Sequence, residues 1–303
     1  MTIGEHLDEL RFRLVRVVIA IIVLMAFFLT FGLTTVYILF DDEGVVKVVS
    51  EFPLTEGSGG TAPESVGNSY ILTFYYPYYN PFDNIAIQLT TYLSDTLLPP
   101  GVSLIQTTPG QAFFSQVYVA VLLSILISIP LIIREVYAFV YPAFGQSTRK
   151  LFAIKTLVPT VSLFVVGVLF SYVLVIPLVL NFLYTYGESI GVATFFNIND
   201  FYPFVLQLLI AFGLAFQLPV IMYALSLTGI VDFDFWKKNF RYALIIFVIF
   251  GAIITPDGGG VSMWLVVVPM VLLYMAGLLV VKRSQKEKEQ AANSESAIHR
   301  LDH

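Results

Sequence analysis

The chain has 303 residues, is 57% hydrophobic but only 12% charged, and carries a formal net charge of −5 with a mean hydropathy of +0.83. Soluble domains hold about a quarter charged residues, so the composition excludes an ordinary soluble protein and points to a bilayer. Cysteine is absent, which excludes disulfides, thiolate zinc sites and thiol catalysis together.

The first element predicted is a short amphipathic helix over residues 1–16. Residues 2–5 (TIGE) fit a capping box, with Thr2 as N-cap and Glu5 at N3. Ile3, Leu7, Leu10 and Leu14 then recur at helical spacing, and such a helix is expected to lie on the membrane surface. Six uncharged stretches follow, over residues 17–40, 113–133, 157–184, 204–228, 242–254 and 263–281. Each reads as a transmembrane helix, so the fold class is all-α, with one polytopic domain over 17–281. The gap at 41–112 is a long loop whose first half (TEGSGGTAP, 55–63) reads as flexible. Its second half is aromatic (Tyr70, Phe74, Tyr75, Tyr76, Tyr78, Tyr79, Phe82) and is expected to pack at the interface. Span 3 is long for a bilayer and span 5 is short, about 13 residues or ~20 Å against a core of ~30 Å. Pro159, Pro177, Pro219 and Pro269 supply kink points, and uneven helices favour a curved bundle. No internal repeat of the transporter kind is present. The tail at 282–303 reads as disordered.

The charges set the topology. If the gaps alternate between two sides, one side holds every Lys and Arg but Lys47, which is 15 of the 16. By the positive-inside rule that side is the cytoplasm, with both termini in it, and the localisation expected is the cell membrane. Lys237, Lys238 and Arg241 read as topology anchors. The basic residues form no concentrated run, so nucleic acid is not an expected partner, whereas membrane lipid is.

Enzyme chemistry lacks its inventory. His6, His299 and His303 all lie near the termini, so the spans hold no His for a serine protease or a metal site. They hold no pair of Asp for an aspartyl protease either, and no metal or cofactor is expected. A small-solute secondary transporter is the strongest rival among non-enzymes.

The motifs, taken in order, resemble the TatC family of twin-arginine protein translocase subunits. They are residues 6–11 (HLDELR), 99–113 (PPGVSLIQTTPGQAF), 130–144 (PLIIREVYAFVYPAF), 212–219 (FGLAFQLP), 237–242 (KKNFRY) and 255–257 (TPD). The resemblance implies a receptor and scaffold without catalysis of its own. It would bind twin-arginine signal peptides of folded cargo at the cytoplasmic face, associate with itself and with single-span TatA/TatB-type subunits, and use the proton gradient. It also implies that recognition lies in the N-terminal segment (Glu9, Leu10, Arg11) and the first inner loop (Phe139, Phe144, Thr148). Three positions depart from the family pattern: Thr148 stands where the loop usually carries Glu, and Gln111 and Gln217 stand where Glu is frequent.

A guanidinium fork wants a carboxylate, which makes Glu9 the leading candidate, although an i,i+4 pair with Arg13 would account for both residues. Glu135 is a candidate replacement for the acid missing at Thr148; its alternative is a salt bridge within the same loop. Phe139 and Phe144 would floor the site or simply anchor at the interface. Gln217, mid-span, reads either as a partner contact or as internally bonded to a neighbour such as Asn181. Gln207 reads as structural.

Overall fold

The computed structural model describes residues 3–40, 46–49, 70–99, 101–140, 149–189, 191, 195–227, 231–255 and 260–301. Five helical segments are long and apolar enough to cross a membrane: Asp8–Thr30, Gln111–Val136, Pro159–Ser189, Ile198–Ser226 and Gly260–Lys286. A shorter apolar helix, Phe240–Ile254, is the sixth, in keeping with the six spans expected from sequence.

The chain opens with α1 (Ile3–Thr30), one continuous helix and not a separate surface segment followed by a span. Glu9, Arg13 and Arg16 lie at i, i+4 and i+7 on one face of it, and fixing that face to a neighbour carries the helix straight through. The apolar run does not stay helical to Phe40, as its hydropathy suggests. It switches to β1 (Phe31–Phe40), which pairs antiparallel with β2 (Val46–Val49) and β3 (Tyr70–Tyr79). Hydropathy alone cannot separate a buried strand from a helix. The run is rich in β-branched and aromatic residues, and its partner strand is the aromatic stretch at 70–79. Gly32 marks the crossing, since a Cβ there would stand 2.1 Å from the Asp83 carbonyl oxygen.

Helix α2 (Ile85–Leu97) caps this end of the bundle. Its N-cap Asn84 is buried; its Oδ1 accepts from the Ile87 amide at 3.0 Å and its Nδ2 donates to the Leu29 carbonyl at 3.1 Å, which ties α2 to the end of α1. Gln88 meets both the N–H and the C=O of Leu33 at 3.0 Å, bonding β1 as a neighbouring strand would. The Tyr78 hydroxyl donates to Asp83 at 2.8 Å, and that bond holds the phenol above its ordinary range.

A short strand β4 (Ser103–Ile105) precedes α3 (Gln111–Val140). Then α4 (Arg149–Phe170), a π-turn (Ser171–Val175) and α5 (Ile176–Ser189) make one long span. Pro177 has no N–H and crowds the preceding turn, and the π-turn just before it absorbs the fault, with the Ile176 N–H reaching the Ser171 carbonyl. β5 (Phe195–Asn197) pairs in parallel with β4 and leads into α6 (Ile198–Ala215). α6 and α7 (Leu218–Leu227) are one span broken at Phe216 and Gln217, two residues before Pro219. α8 (Phe233–Lys238), α9 (Phe240–Ile254) and α10 (Gly260–Leu301) complete the chain. α10 runs on through Leu301, where a disordered tail was expected. The segment that follows the apolar run, 282–292 (KRSQKEKEQAA), is rich in strong helix formers, which favours continuation of the helix.

The core centres on the span Ile198–Ser226, the most buried of the long spans, whereas α1 lies at the rim. Phe201, Val205, Leu208 and Phe212 are fully enclosed by neighbouring helices. Two glycines let α4 and α6 close on each other. A Cβ on Gly167 would stand 2.6 Å from the Phe212 carbonyl oxygen, and one on Gly213 would strike the Phe164 ring at 2.3 Å. Backbone cannot swing aside, so Gly167→Val is expected to destabilise the purified chain by about 1–3 kcal/mol or more, read as a lowered midpoint of heat unfolding in detergent. Gly260→Ala, with no atom within 4 Å of the new methyl group, is expected to leave that midpoint unchanged.

Candidate functional site

At the end of the bundle opposite the sheet and α2, the start of α1 packs against the end of α3. One face of α1 carries Glu9, Arg13 and Arg16. They meet Glu135, which α3 presents from its last turns. Arg13 donates to the Glu9 carboxylate at 2.5 Å and to Glu135 at 2.9 Å, and Arg16 donates to Glu135 at 2.7 Å. The four charges alternate in sign, Glu9–Arg13–Glu135–Arg16, and cancel.

Exposure grades them: the Glu135 side chain is 5% exposed, Arg13 20%, Glu9 24% and Arg16 58%. The buried end of the chain is therefore a carboxylate held between two guanidinium groups, which is how a buried charge is tolerated. Removing one member of such a pair costs more than the pair contributes, because the other is left buried and uncompensated.

This arrangement corrects the reading of Glu135. Its partners are not bases of its own loop; they are Arg13 and Arg16, more than a hundred residues earlier in the chain. Glu9 keeps its i,i+4 bond to Arg13, as spacing suggested, but through one oxygen only. Its Oε2 is shielded from solvent and has no hydrogen-bond partner among the described residues. A carboxylate with one oxygen engaged and one unpaired can take a further guanidinium or amide donor without breaking its present bond, once a side chain that shields it moves aside.

Beside the charges lies an apolar groove of about 170 Å³. Leu10, Leu14 and Val17 form its α1 wall at i, i+4 and i+7, and Ile132, Val136 and Phe139 form its α3 wall at the same spacing. Helical periodicity puts each trio on one face. Arg13 and Glu135 close one side.

Of the sequence candidates, Glu9, Leu10, Glu135 and Phe139 thus converge on one place. Arg11 points elsewhere on α1 and is exposed. Phe144 and Thr148 lie outside the described residues. Sequence reading missed Arg16 as a member of the site, along with the α3 wall. The signal available was that Arg13 and Arg16 stand three apart, on the helical face of Glu9.

The two amides that replace frequent carboxylates differ in kind. Gln111 is buried; its Oε1 accepts from the Thr107 amide at 2.8 Å and from the Thr108 amide at 3.3 Å. Its Nε2 donates to the Asn197 side-chain oxygen, joining the start of α3 to β5. A carboxylate could accept the first two bonds but could not donate the third. Gln217, at the break between α6 and α7, donates to the Thr160 carbonyl at 3.2 Å and to the Gly213 carbonyl at 3.4 Å. Its internal partner is therefore backbone of α4 and not Asn181, which is exposed. Its Oε1 is buried without a partner among the described residues. Gln207 donates to the Tyr118 hydroxyl at 2.9 Å, in keeping with a structural role.

Six apolar spans define a polytopic helical membrane protein, and the neutralised charge chain beside an open apolar groove makes that end its candidate site. Residues 5–269 match the family of Sec-independent protein translocase proteins, TatC. The chain belongs to the TatC family. It is 43% identical over 295 residues to the Sec-independent protein translocase protein TatC of Cenarchaeum symbiosum (strain A), covering 96% of this chain and 98% of that one. It is 31% identical over 207 residues to the TatC of Carboxydothermus hydrogenoformans, covering 68% and 82% respectively. The crystal structure of the twin-arginine translocase receptor TatC superposes with a TM-score of 0.68 at 24% identity, covering 92% of this chain and 99% of that one, and establishes the fold. None of these relatives supports the small-solute transporter reading.

Gln111→Met removes a side chain that satisfies two backbone amides and Asn197, whereas Gln217→Met also removes an unpaired oxygen. The first is expected to cost about 1–3 kcal/mol and the second less than about 1 kcal/mol, by heat or denaturant unfolding in detergent.

Proposed function

We propose that the chain is the signal-peptide receptor and core scaffold of a twin-arginine translocation system, which exports folded proteins using the proton gradient. The observation that supports it best is Glu9, with one oxygen unpaired among the described residues, bonded to Arg13, which lines an apolar groove. A twin-arginine peptide brings guanidinium groups followed by an apolar run, and the site offers a carboxylate oxygen followed by Leu10, Leu14 and Phe139. Glu9 takes one guanidinium of the peptide, and a charge-assisted bond in this setting is stronger than one in water.

Arg13 and Glu135 act through Glu9. Arg13 divides its donors between the two carboxylates, so Glu135 limits how firmly Arg13 occupies Glu9. Glu135 in this way does part of the work of the acid absent at Thr148, by positioning Arg13. Phe144 and Thr148, outside the described residues, stay candidates for peptide contact on the family resemblance alone, and Arg11 meets the peptide or lipid from the outer face of α1.

The site faces the cytoplasm with both termini, in the cell membrane, in keeping with the distribution of Lys and Arg. The chain carries no catalysis of its own. Its protein partners are folded cargo with twin-arginine signals, single-span TatA/TatB-type subunits and further copies of itself. Gln217 is the intramembrane polar candidate for contact with a partner helix, which would reach its buried oxygen only if α6 and α7 shift at their break.

Binding of a twin-arginine peptide to the full chain in detergent, with a twin-lysine peptide as control, tests this reading. Glu9→Gln is expected to weaken binding by roughly ten- to a hundredfold, the range of a lost charge-assisted bond. Glu135→Gln, which keeps shape and lets Arg13 settle on Glu9, is expected to weaken it by a smaller factor. Equal binding of both peptides, unaffected by Glu9→Gln, overturns the assignment.

A further inference from the structure

A second groove, of about 630 Å³, lies where α8 and the start of α9 meet α10, away from the α1–α3 site. Val271, Leu272, Met275 and Leu279 of α10 form one wall and Phe240 of α9 forms another. Behind α10 the contact is built on Tyr274. The buried Tyr274 donates its hydroxyl to the Trp236 carbonyl at 2.8 Å, and the rings of Trp236, Phe240 and Phe247 surround it at 5.6–6.3 Å. The Trp236 indole in turn donates to the Ser226 hydroxyl at 3.3 Å, which fixes α8 to the end of α7.

Two ammonium groups stand at one end of this groove, Lys237 on α8 and Lys282 on α10. Lys282 lies over the Phe233 ring, 5.8 Å from its centroid. No Asp or Glu lines the groove, and among the described residues neither lysine forms a salt bridge. From Lys282 to Val271 the helix descends eleven residues, about 16 Å at ~1.5 Å per residue. One leaflet of hydrocarbon is about 15 Å deep, half of a ~30 Å core. The groove is thus apolar over the depth of one leaflet and doubly positive where that leaflet meets water.

We propose that this groove is a binding site for one anionic phospholipid of that leaflet, its phosphate between Lys237 and Lys282 and a hydrocarbon chain along Val271 to Leu279. Charge complementarity selects the lipid. A zwitterionic headgroup offers no net charge to two lysines that have no salt bridge among the described residues, a free phosphate leaves the apolar walls empty, and an apolar partner helix leaves the lysines unanswered. A lipid held there braces α8 against α10, the two elements that the Tyr274 cluster already joins. The inference is independent of the signal-peptide reading.

Native mass spectrometry of the full chain in detergent, titrated with dioleoyl phosphatidylglycerol or dioleoyl phosphatidylcholine, tests it. The wild-type chain is expected to retain one phosphatidylglycerol in preference to phosphatidylcholine. Lys237→Gln with Lys282→Gln is expected to reduce that retention roughly thirtyfold, at about 1 kcal/mol for each basic residue beside an anionic lipid surface. Lys238→Gln removes the same charge from the same helix but lies outside the groove lining, and is expected to change nothing. Leu272→Trp, which fills the groove, is expected to lower retention of both lipids, and soluble glycerol phosphate is expected not to compete. Equal retention of the two lipids by the wild type, or undiminished phosphatidylglycerol in the double lysine variant, overturns the proposal, as does displacement by glycerol phosphate. Twin-arginine peptide binding by the double lysine variant is expected to stay at the wild-type value, so the two readings fail separately.

Discussion

Inside hydrocarbon a backbone N–H or C=O has no water to turn to, and this constraint shapes every span. The chain meets it with helices, and prolines test it at set points. Where Pro177 interrupts the ladder, a π-turn carries the Ile176 N–H back to Ser171. Where Pro219 does so, the helix breaks outright and a side-chain amide, Gln217, bonds carbonyls of α4 and α6 instead. The break therefore leaves a polar group deep in the bundle, and that group has one oxygen unpaired. Its presence follows from the backbone fault beside it as much as from any role toward a partner.

The same cost of unpaired polarity governs the charged site. Glu135 is tolerated in its buried position because two arginines of α1 reach it, and those arginines are held in line by helical spacing. Pinning α1 to α3 through these bonds makes the amphipathic start of the chain continuous with its first span. It also aligns the two apolar stripes that form the groove. Ion pairing and groove geometry are thus one feature. The charges set the separation and register of two helices, and the apolar residues between them line the groove that results.

Much of this was legible in the sequence. Uncharged runs announced six spans, the family motifs drew attention to Glu9, Leu10 and Phe139, and the acid missing at Thr148 drew attention to Glu135. What escaped was long-range pairing. Residues 31–40 and 70–79 are apolar and aromatic, and nothing local says that they seek each other as strands. The partner of Glu135 lies 119 or 122 residues away, so a reader of neighbouring residues looks for it in the wrong loop. Gln111 looked like a conservative loss of charge. The structure shows a side chain that must donate as well as accept, which a carboxylate does not do.

Composition and periodicity by themselves determined that the chain has six apolar spans and that its basic residues gather in alternate gaps between them. Both follow from summed transfer energies along the chain, to which each residue contributes whatever its neighbours in space. The tertiary structure decided which charges meet, where helices break and become strands, and which apolar stripes are left open as grooves. Those outcomes depend on distances between residues remote in sequence, and a one-dimensional pattern carries no information about such distances until the helices are packed.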